Sequence, residues 1–169
     1  MCQYQRPQRQ RGRTLPVVAR VRSCRPDEVL GLRQAVLRPH QRPDEVRFPD
    51  DEGPGTAHFC ARDDDDEVVG VVSVMRQGPP WRPDLDAWRL RGMATAPERR
   101  GTGVGSALVD AVFDHVAACG GGLLWCNARL AAVAFYERAG MVTTGDVWEE
   151  PVIGPHIAMF VQVPPPGPG

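Results

Sequence analysis

The chain has 169 residues, a formal net charge of −1 at pH 7 and 42% hydrophobic residues. A chain of this length suits one domain with an ample hydrophobic core. The balanced charge gives no overall signal for nucleic acid or for an anionic membrane surface, so we expect neither partner.

Amino-acid usage excludes several further classes of protein. All 20 basic residues are arginine, which rules out a lysine-dependent P-loop, a kinase lysine and a lysine Schiff base. The five cysteines are scattered without a C-x-x-C pair or zinc-type spacing, so we expect reduced thiols, no metal and a cytoplasmic protein. No apolar run has membrane-spanning length, and we expect no signal peptide.

The two ends of the chain predict tails around a single domain. Residues 1–14 are rich in Gln, Pro and Arg, and residues 164–169 consist of Pro and Gly. Such compositions do not build a packed core. We therefore place one domain at residues 15–163 and interpret the arginine-rich N-terminus as a disordered leader rather than a nucleic-acid arm.

The domain is predicted to begin with a strand and a helix. Hydrophobic residues alternate over residues 17–22, which favours a strand. Ser23 and Pro26 then signal a helix start, and Pro39 ends the helix.

A loop and a hairpin are predicted next. Residues 38–55 are rich in Pro, Asp and Arg and favour a loop. Two strands at residues 58–62 and 67–75 are expected to pair around the acidic run at residues 63–66. That run lacks the spacing and the closing Glu of a calcium loop, so we interpret it as a solvated turn.

The sequence of the second half of the domain predicts a loop at residues 77–86, a strand at 87–95 and a helix at 103–119. A strand at 123–127, a short helix at 130–139 and two final strands at 142–147 and 156–163 follow. The full order is β-α-β-β-β-α-β-α-β-β, which indicates an α/β fold with a mixed sheet.

The most informative segment is the glycine-rich loop that opens the helix at residue 103. Without Cβ atoms, Gly101, Gly103 and Gly105 let a ligand approach the backbone closely. The first helical amides have no intrahelical partner, and the helix dipole adds positive potential there. Arg99 and Arg100 add charge, so the loop predicts a pyrophosphate site.

A dinucleotide-binding loop is the main alternative, and it does not fit. Its G-x-G-x-x-G pattern would place a third glycine where Ser106 stands. The acidic ribose ligand expected about 20 residues later is also missing, because neither Asp nor Glu occurs between Asp114 and Glu137.

Two sequence blocks carry a family resemblance. Residues 100–105, Arg-Gly-Thr-Gly-Val-Gly, match the Q/R-x-x-G-x-G/A signature of the GNAT superfamily of N-acetyltransferases. Residues 131–141 resemble the family's A-x-x-F-Y-E-x-x-G-F block, with Met141 in place of the usual Phe. One helix and one strand separate the blocks, as in the family, and the resemblance covers about half the chain, from Trp88 onward. It implies the GNAT fold, a mixed and mostly antiparallel sheet flanked by helices.

The resemblance implies acetyl-CoA as co-substrate, bound where the strands at residues 87–95 and 123–127 splay apart. In the family, an amine attacks the thioester directly, and an amide such as that of Ala94 would polarise the carbonyl. The expected cofactor-binding residues are Met93, Ala94, Thr95, Arg99, Arg100, Gly101, Thr102, Gly103, Val104, Gly105, Ser106, Asn127, Phe135 and Arg138.

Tyr136 matches the family tyrosine that protonates the departing thiolate, so we expect it to be the general acid rather than a core residue. His156 is a candidate general base, although single histidines are often structural. Ordered water is an alternative base, as are the side chains of His40, Glu45, Asp50, Glu149 and Glu150.

Two other residues near the expected thioester path need an interpretation. Cys126 is expected to be a small buried core residue rather than an acyl-accepting nucleophile. Arg129 stands where the family often has an Asn that contacts pantetheine, and the Asn of this chain, Asn127, lies two residues earlier.

The predicted function is an acetyl-CoA-dependent N-acetyltransferase, an acyltransferase with a small-molecule or peptide amine as acceptor. A CoA-binding regulatory module without turnover, or transfer from another acyl-CoA such as succinyl-CoA, are the alternatives. The acceptor depends on the segments 38–55, 77–86 and 149–156, which resemble the family least. A homodimer is left open.

Overall fold

The computed structural model describes residues 19–167. The predicted tail at residues 1–14, the first residues of the strand predicted at 17–22, and the last two residues of the chain lie outside this range. Within it, the strands are β1 (Arg20–Cys24), β2 (Thr56–Arg62), β3 (Val68–Arg76), β4 (Ala87–Thr95), β5 (Gly122–Arg129), β6 (Val142–Glu150) and β7 (Gly154–Val163). The helices are α1 (Leu30–Leu37), α2 (Val104–Ala118) and α3 (Val133–Arg138), and short 3-10 turns lie at Pro26–Val29, Pro97–Arg99 and Leu130–Ala132.

The strands form one mixed sheet in the spatial order β1-β2-β3-β4-β5-β7-β6. All neighbouring strands are antiparallel except β4 and β5, which are parallel. The predicted element order, the α/β class and the mostly antiparallel sheet are confirmed. The predicted boundaries differ mainly at strand ends, and β5 extends beyond the predicted residue 127 to Arg129.

The pairing of β4 with β5 is short. It covers only Ala87–Arg89 against Leu123–Trp125. Beyond Arg89 the two strands diverge, although β4 stays paired with β3 and β5 stays paired with β7. A gap therefore opens in the middle of the sheet.

Helices cover both faces of the sheet. The apolar side of α2 packs on one face, where Leu108, Val112 and Val116 are fully buried. Gly70 permits this close packing, because a Cβ there would lie 2.6 Å from Cγ1 of Val104. On the other face, α1 and the turn before it pack against Val71. No helix within residues 19–167 has the length and apolar character needed to cross a membrane.

A β-bulge interrupts β4 beside the gap. Arg91 is opposite Ser73 and Ala94 is opposite Val71, so two residues of β4, Gly92 and Met93, face one residue of β3. Gly92 has φ +61°, a left-handed conformation that favours glycine. The extra residue shifts the alternation of side chains along β4, which turns Met93 toward α3.

A buried ion pair anchors the loop between α1 and β2. Arg33 donates hydrogen bonds to Asp51 at 2.6 and 3.1 Å, to the carbonyl of Val46 and to Ser73 Oγ. Both charged side chains are fully buried. His58 bonds to Ser73 Oγ and to the carbonyl of Asp51. The sequence predicted only a loop here, and this network holds that loop on the α1 face of the sheet.

The expectation of five reduced cysteines is wrong for one pair. Cys24 and Cys60 form a disulfide, with Cα atoms 6.0 Å apart. In the β1–β2 register, Cys24 is opposite His58, so Cys60 is its diagonal neighbour on the same face of the sheet. Residues 36 positions apart in sequence become neighbours only once that register is set. Cys119 and Cys126 are free thiols.

We expect Asp51→Ala to lower the free energy of unfolding by about 3–5 kcal/mol, because it leaves the buried Arg33 charge without its partner. Urea denaturation measures the loss. Glu52→Ala is the matched control, since Glu52 pairs with Arg47 on the exposed side of the same loop and exposed pairs contribute little. Equal losses for the two variants would contradict the anchoring role.

Candidate active site

A cavity of about 840 Å³ lies at the gap between β4 and β5. Its walls come from both faces of the sheet. The N-terminal loop of α2 and the side chains of α3 bound one part, and the end of α1, the anchored loop and the β6–β7 hairpin bound the other. The gap therefore joins two regions of different chemistry into one site.

The glycine loop presents open backbone to the cavity. Gly101 has φ +73° and Gly103, the N-cap of α2, has φ +92°. A Cβ added at either position would meet no atom within 4 Å. The free amides at the start of a 15-residue helix face this space, which is the arrangement that binds phosphate groups.

The arginines around this loop differ in their charge balance. Arg99 Nη2 lies 2.7 Å from Asp63 Oδ2, so the acidic turn between β2 and β3 neutralises it. Arg100 and Arg138 line the cavity, and within residues 19–167 neither has a carboxylate within ion-pair distance. These two, rather than Arg99, supply uncompensated positive charge to the loop.

Twelve of the fourteen predicted cofactor-binding residues line the cavity. The exceptions are Thr102 and Val104. The Thr102 hydroxyl donates to the carbonyl of Arg99 at 2.6 Å, and the Val104 side chain is buried in the core. Both side chains stabilise the loop from outside, so only their backbone groups are available to a ligand.

Tyr136 lines the cavity from α3 and is 7% exposed. Its hydroxyl donates to Met93 Sδ at 3.6 Å, a contact that the β4 bulge creates. Burial, together with the neighbouring Cys126, raises the pKa of the phenol well above its usual value. The phenol is therefore protonated at neutral pH and able to donate a proton.

Cys126 lies on β5 beside the gap and is 1% exposed. Burial raises the pKa of its thiol to about 12, with Arg89 acting in the opposite direction. Because the thiolate is the nucleophilic form, Cys126 is an inert thiol at neutral pH.

His156 lines the cavity from β7 and is stacked on Trp148, with ring centroids 5.9 Å apart. Its Nδ1 lies 2.8 Å from the carbonyl of Gly154. A carbonyl only accepts hydrogen bonds, so Nδ1 carries the proton and, in the neutral ring, Nε2 keeps a lone pair. This tautomer suits a proton acceptor.

Of the other candidate bases, Glu150 alone lines the cavity, and it accepts a hydrogen bond from Trp148 Nε1 at 3.3 Å. The remaining candidates are exposed and lie outside the cavity walls; they are His40, Glu45, Asp50 and Glu149. The fold thus brings Tyr136, His156 and Glu150 to one cavity and leaves the others out.

Comparison with known proteins assigns the family. A model of the acetyltransferase (GNAT) family matches residues 25–141. The chain belongs to this family. The uncharacterized N-acetyltransferase YitI of Bacillus subtilis (strain 168) is 30% identical over 140 residues, which cover 83% of this chain and 93% of YitI. The chain is accordingly an acyltransferase of the N-acetyltransferase type.

Solved structures of this family share the fold. An aminoglycoside 6'-N-acetyltransferase complexed with coenzyme A matches with a TM-score of 0.68 and 19% identity, covering 88% of this chain and 99% of that one. A phosphinothricin acetyltransferase from Sinorhizobium meliloti, in complex with AcCoA, matches with a TM-score of 0.69 and 17% identity, covering 87% and 89%.

The sequence reasoning missed part of this acetyltransferase's cavity. Phe48, in the anchored loop, has the guanidinium carbons of Arg33 and Arg91 at 3.9 and 3.5 Å from its ring centroid. Arg38 and Arg89 line the same region. One signal was present: Arg89 and Arg91 are two residues apart in a predicted strand and therefore share a face.

We expect iodoacetamide at pH 7.5 to modify Cys119 in the folded protein and to leave Cys126 unmodified on the same timescale. Cys119 is exposed, whereas a thiol with a pKa of about 12 holds about a thousandfold less thiolate than an ordinary one. Peptide mass spectrometry resolves the two sites, and urea should make both reactive. Comparable labelling of the folded protein at both sites would contradict the assignment.

Proposed function

We propose that this acetyltransferase moves the acetyl group of acetyl-CoA to an amine by direct attack on the thioester. One observation carries the proposal: a single cavity joins the free amides of the glycine loop to the buried phenol of Tyr136 across the gap between β4 and β5. The first feature suits the pyrophosphate of CoA, and the second suits its departing sulfur.

The unpaired edge of β4 supports the placement of the pantetheine arm. From Leu90 onward, the side of β4 that faces β5 has no strand partner. The amide groups of pantetheine can extend the sheet there by bonding to the backbone of Met93 and Thr95, which satisfies backbone groups that are otherwise left open. The pyrophosphate then reaches the amides from Gly101 to Ser106, beside Arg100 and Arg138.

The proposed reaction needs three proton movements. The ammonium form of the acceptor first loses a proton to His156 Nε2 or to water, and the neutral nitrogen then bonds to the thioester carbon. As the tetrahedral intermediate collapses, its nitrogen releases a second proton to solvent, the carbon–sulfur bond breaks, and Tyr136 gives its proton to the sulfur. The products are the amide and the free thiol of CoA, and solvent returns the proton to Tyr136.

Direct attack is favoured over an acetyl-cysteine intermediate. Cys126 is the cysteine that lines the cavity, and burial keeps its thiol protonated. A regulatory module that binds CoA without turnover is the rival function. Release of CoA thiol from acetyl-CoA in the presence of an amine panel separates the two functions. A regulatory module would bind acetyl-CoA but would release no CoA thiol.

We expect Gly103→Val to abolish the rise in melting temperature that acetyl-CoA produces by binding the native state. A side chain there would project into the path of the pyrophosphate. Gly120→Val is the matched control, because Gly120 also has a positive φ, +98°, and open space at the other end of α2. Both variants carry similar backbone strain, so an equal acetyl-CoA shift in the two would contradict the pyrophosphate assignment.

We expect Tyr136→Phe to keep its fold and its affinity for acetyl-CoA and to lose about 10- to 1000-fold in kcat, because only the proton donor is removed. Steady-state kinetics with the best acceptor of the panel measures kcat, and calorimetry measures acetyl-CoA binding. An unchanged kcat, under conditions where the chemical step limits the rate, would make Tyr136 a packing residue.

A further inference from the structure

Besides Arg33, which is paired with Asp51, four arginines line the part of the cavity that faces α1 and the anchored loop. We call them the acceptor-side arginine cluster: Arg38, Arg89, Arg91 and Arg129. Arg89 and Arg91 share one face of β4, and Arg129 ends β5 opposite His156. Arg129 Nη2 donates to the carbonyl of Leu37 at 3.1 Å, which brings it beside Arg38.

The cluster has no carboxylate partner within the part of the chain that the structure describes. Of the ion pairs among residues 19–167, none includes a member of the cluster. The buried Nε atoms of Arg89 and Arg91 have no hydrogen-bond partner there. The Nε atom of Arg33 also lacks a partner within residues 19–167. Arg33, Arg62 and Arg76 differ from the cluster because each pairs with a carboxylate.

The acidic groups nearby do not balance the cluster. Asp51 is committed to Arg33, and Asp50 is exposed. Glu150 is the acidic residue among those lining the cavity, set against four arginines. The aromatic rings hold two guanidinium groups in place, with Arg91 3.5 Å from the Phe48 centroid and Arg89 4.8 Å from the Trp125 centroid. Pre-oriented guanidinium planes of this kind suit bidentate binding of an oxyanion.

The pKa values show that these charges oppose one another. Burial, followed by the charge of Arg89, lowers the pKa of Arg91 to about 10. Burial and the charge of Arg129 lower the pKa of Arg38, and Glu150 opposes that shift. With a pKa of about 10, Arg91 stays charged at neutral pH, so a bound anion would relieve the repulsion within the cluster.

We propose that the acceptor is an amine that also carries an oxyanion, a carboxylate or a phosphonate, and that the acceptor-side arginine cluster binds this group. The inference rests on the proposed N-acetyltransferase function and names its substrate class. It predicts that amino acids and aminophosphonates are better acceptors than polyamines, because the cluster repels the additional positive charges of polyamines.

The anionic groups of CoA do not account for the cluster. The glycine loop and Arg100 lie at the N-terminus of α2, where the pyrophosphate is proposed to bind, and Arg138 lines the cavity from the end of α3. The cluster instead lies between α1, the end of β5 and the β6–β7 hairpin. An anion there must come from the acceptor or from the far end of an acyl chain, and the experiment separates these two sources.

The test uses acetyl-CoA with matched pairs of acceptors. Each amino acid is compared with its own carboxamide, glycine is compared with aminomethylphosphonate, and spermidine represents the polyamines. We expect kcat/KM, measured by release of CoA thiol, to be about 10- to 100-fold higher for the best acid than for its amide, as for a lost charge-assisted hydrogen bond. Amides or spermidine that react as well as the acids would overturn the proposal.

Variants locate the effect in the cluster. Arg91→Gln should raise KM for the acid about 10- to 100-fold and leave acetyl-CoA affinity unchanged, while Arg91→Lys should recover part of the loss by restoring the charge. Arg20→Gln, on exposed strand β1 away from the cavity, is the control and should behave as the wild type. Arg38→Gln replaces Arg91→Gln if that variant does not fold. If these variants keep the wild-type KM, the cluster does not bind the acceptor.

Two further arms separate this proposal from its alternatives. One arm uses succinyl-CoA with an amine that carries no anionic group. If Arg91→Gln lowers kcat/KM in that reaction but leaves kcat/KM for acidic acceptors unchanged, the anion belongs to the acyl chain and the acceptor assignment is wrong. If no amine is acetylated, the proposed function fails. In that case calorimetry of N-acetylglycine and N-acetylglycinamide with the CoA-loaded protein still tests the cluster: selective binding of the acid, lost in Arg91→Gln, supports an oxyanion site, and equal binding rejects it.

Discussion

The whole site depends on the short pairing of β4 with β5. Parallel neighbours that separate after three paired positions leave backbone donors and acceptors along β4 without a strand partner, and such groups are costly to leave unsatisfied. A ligand with its own amides can take the place of the missing strand. The same divergence lets the glycine loop of α2 and the arginines on the α1 face reach one cavity, although they lie on opposite faces of the sheet. The proposed binding of acetyl-CoA and the proposed chemistry both depend on this gap.

Charge is arranged in three zones along this cavity. One end has the amides of the glycine loop, with Arg100 beside them and Arg138 at the end of α3. The middle holds the protonated side chains of Tyr136 and Cys126, and the α1 side holds the arginine cluster. Burial keeps the middle zone neutral. In the proposed reaction, the departing thiolate therefore meets a proton donor there rather than a competing anion. The Arg33–Asp51 pair keeps the loop that carries Phe48 in place without adding net charge. The α1 side of the cavity is thus held in position by contacts within the protein.

Local sequence patterns predicted the order of the elements and half of the site. The alternation over residues 87–95 and the apolar face of the following helix depend on residues a few positions apart. These patterns can therefore be recognised without knowledge of the fold. The glycine loop and the block around Tyr136 are also contiguous, and twelve of the fourteen expected cofactor-binding residues do line the cavity. Their roles in binding and catalysis remain predictions.

What depends on strand register was decided by the tertiary structure. The bulge at Gly92 turns Met93 toward Tyr136, and it is visible only when Arg91 and Ala94 are set against β3. The Cys24–Cys60 disulfide and the Arg33–Asp51 pair each join residues that are far apart in sequence, so local sequence patterns do not predict them. Arg129 stood out in the sequence only as a departure from the family pattern, and its place opposite His156 follows from the sheet order. The sequence by itself determined the fold and the glycine-loop side of the cavity, because their signals are local. The tertiary structure decided the α1 side, because side chains from α1, β4, β5 and the β6–β7 hairpin meet there only after the sheet has assembled.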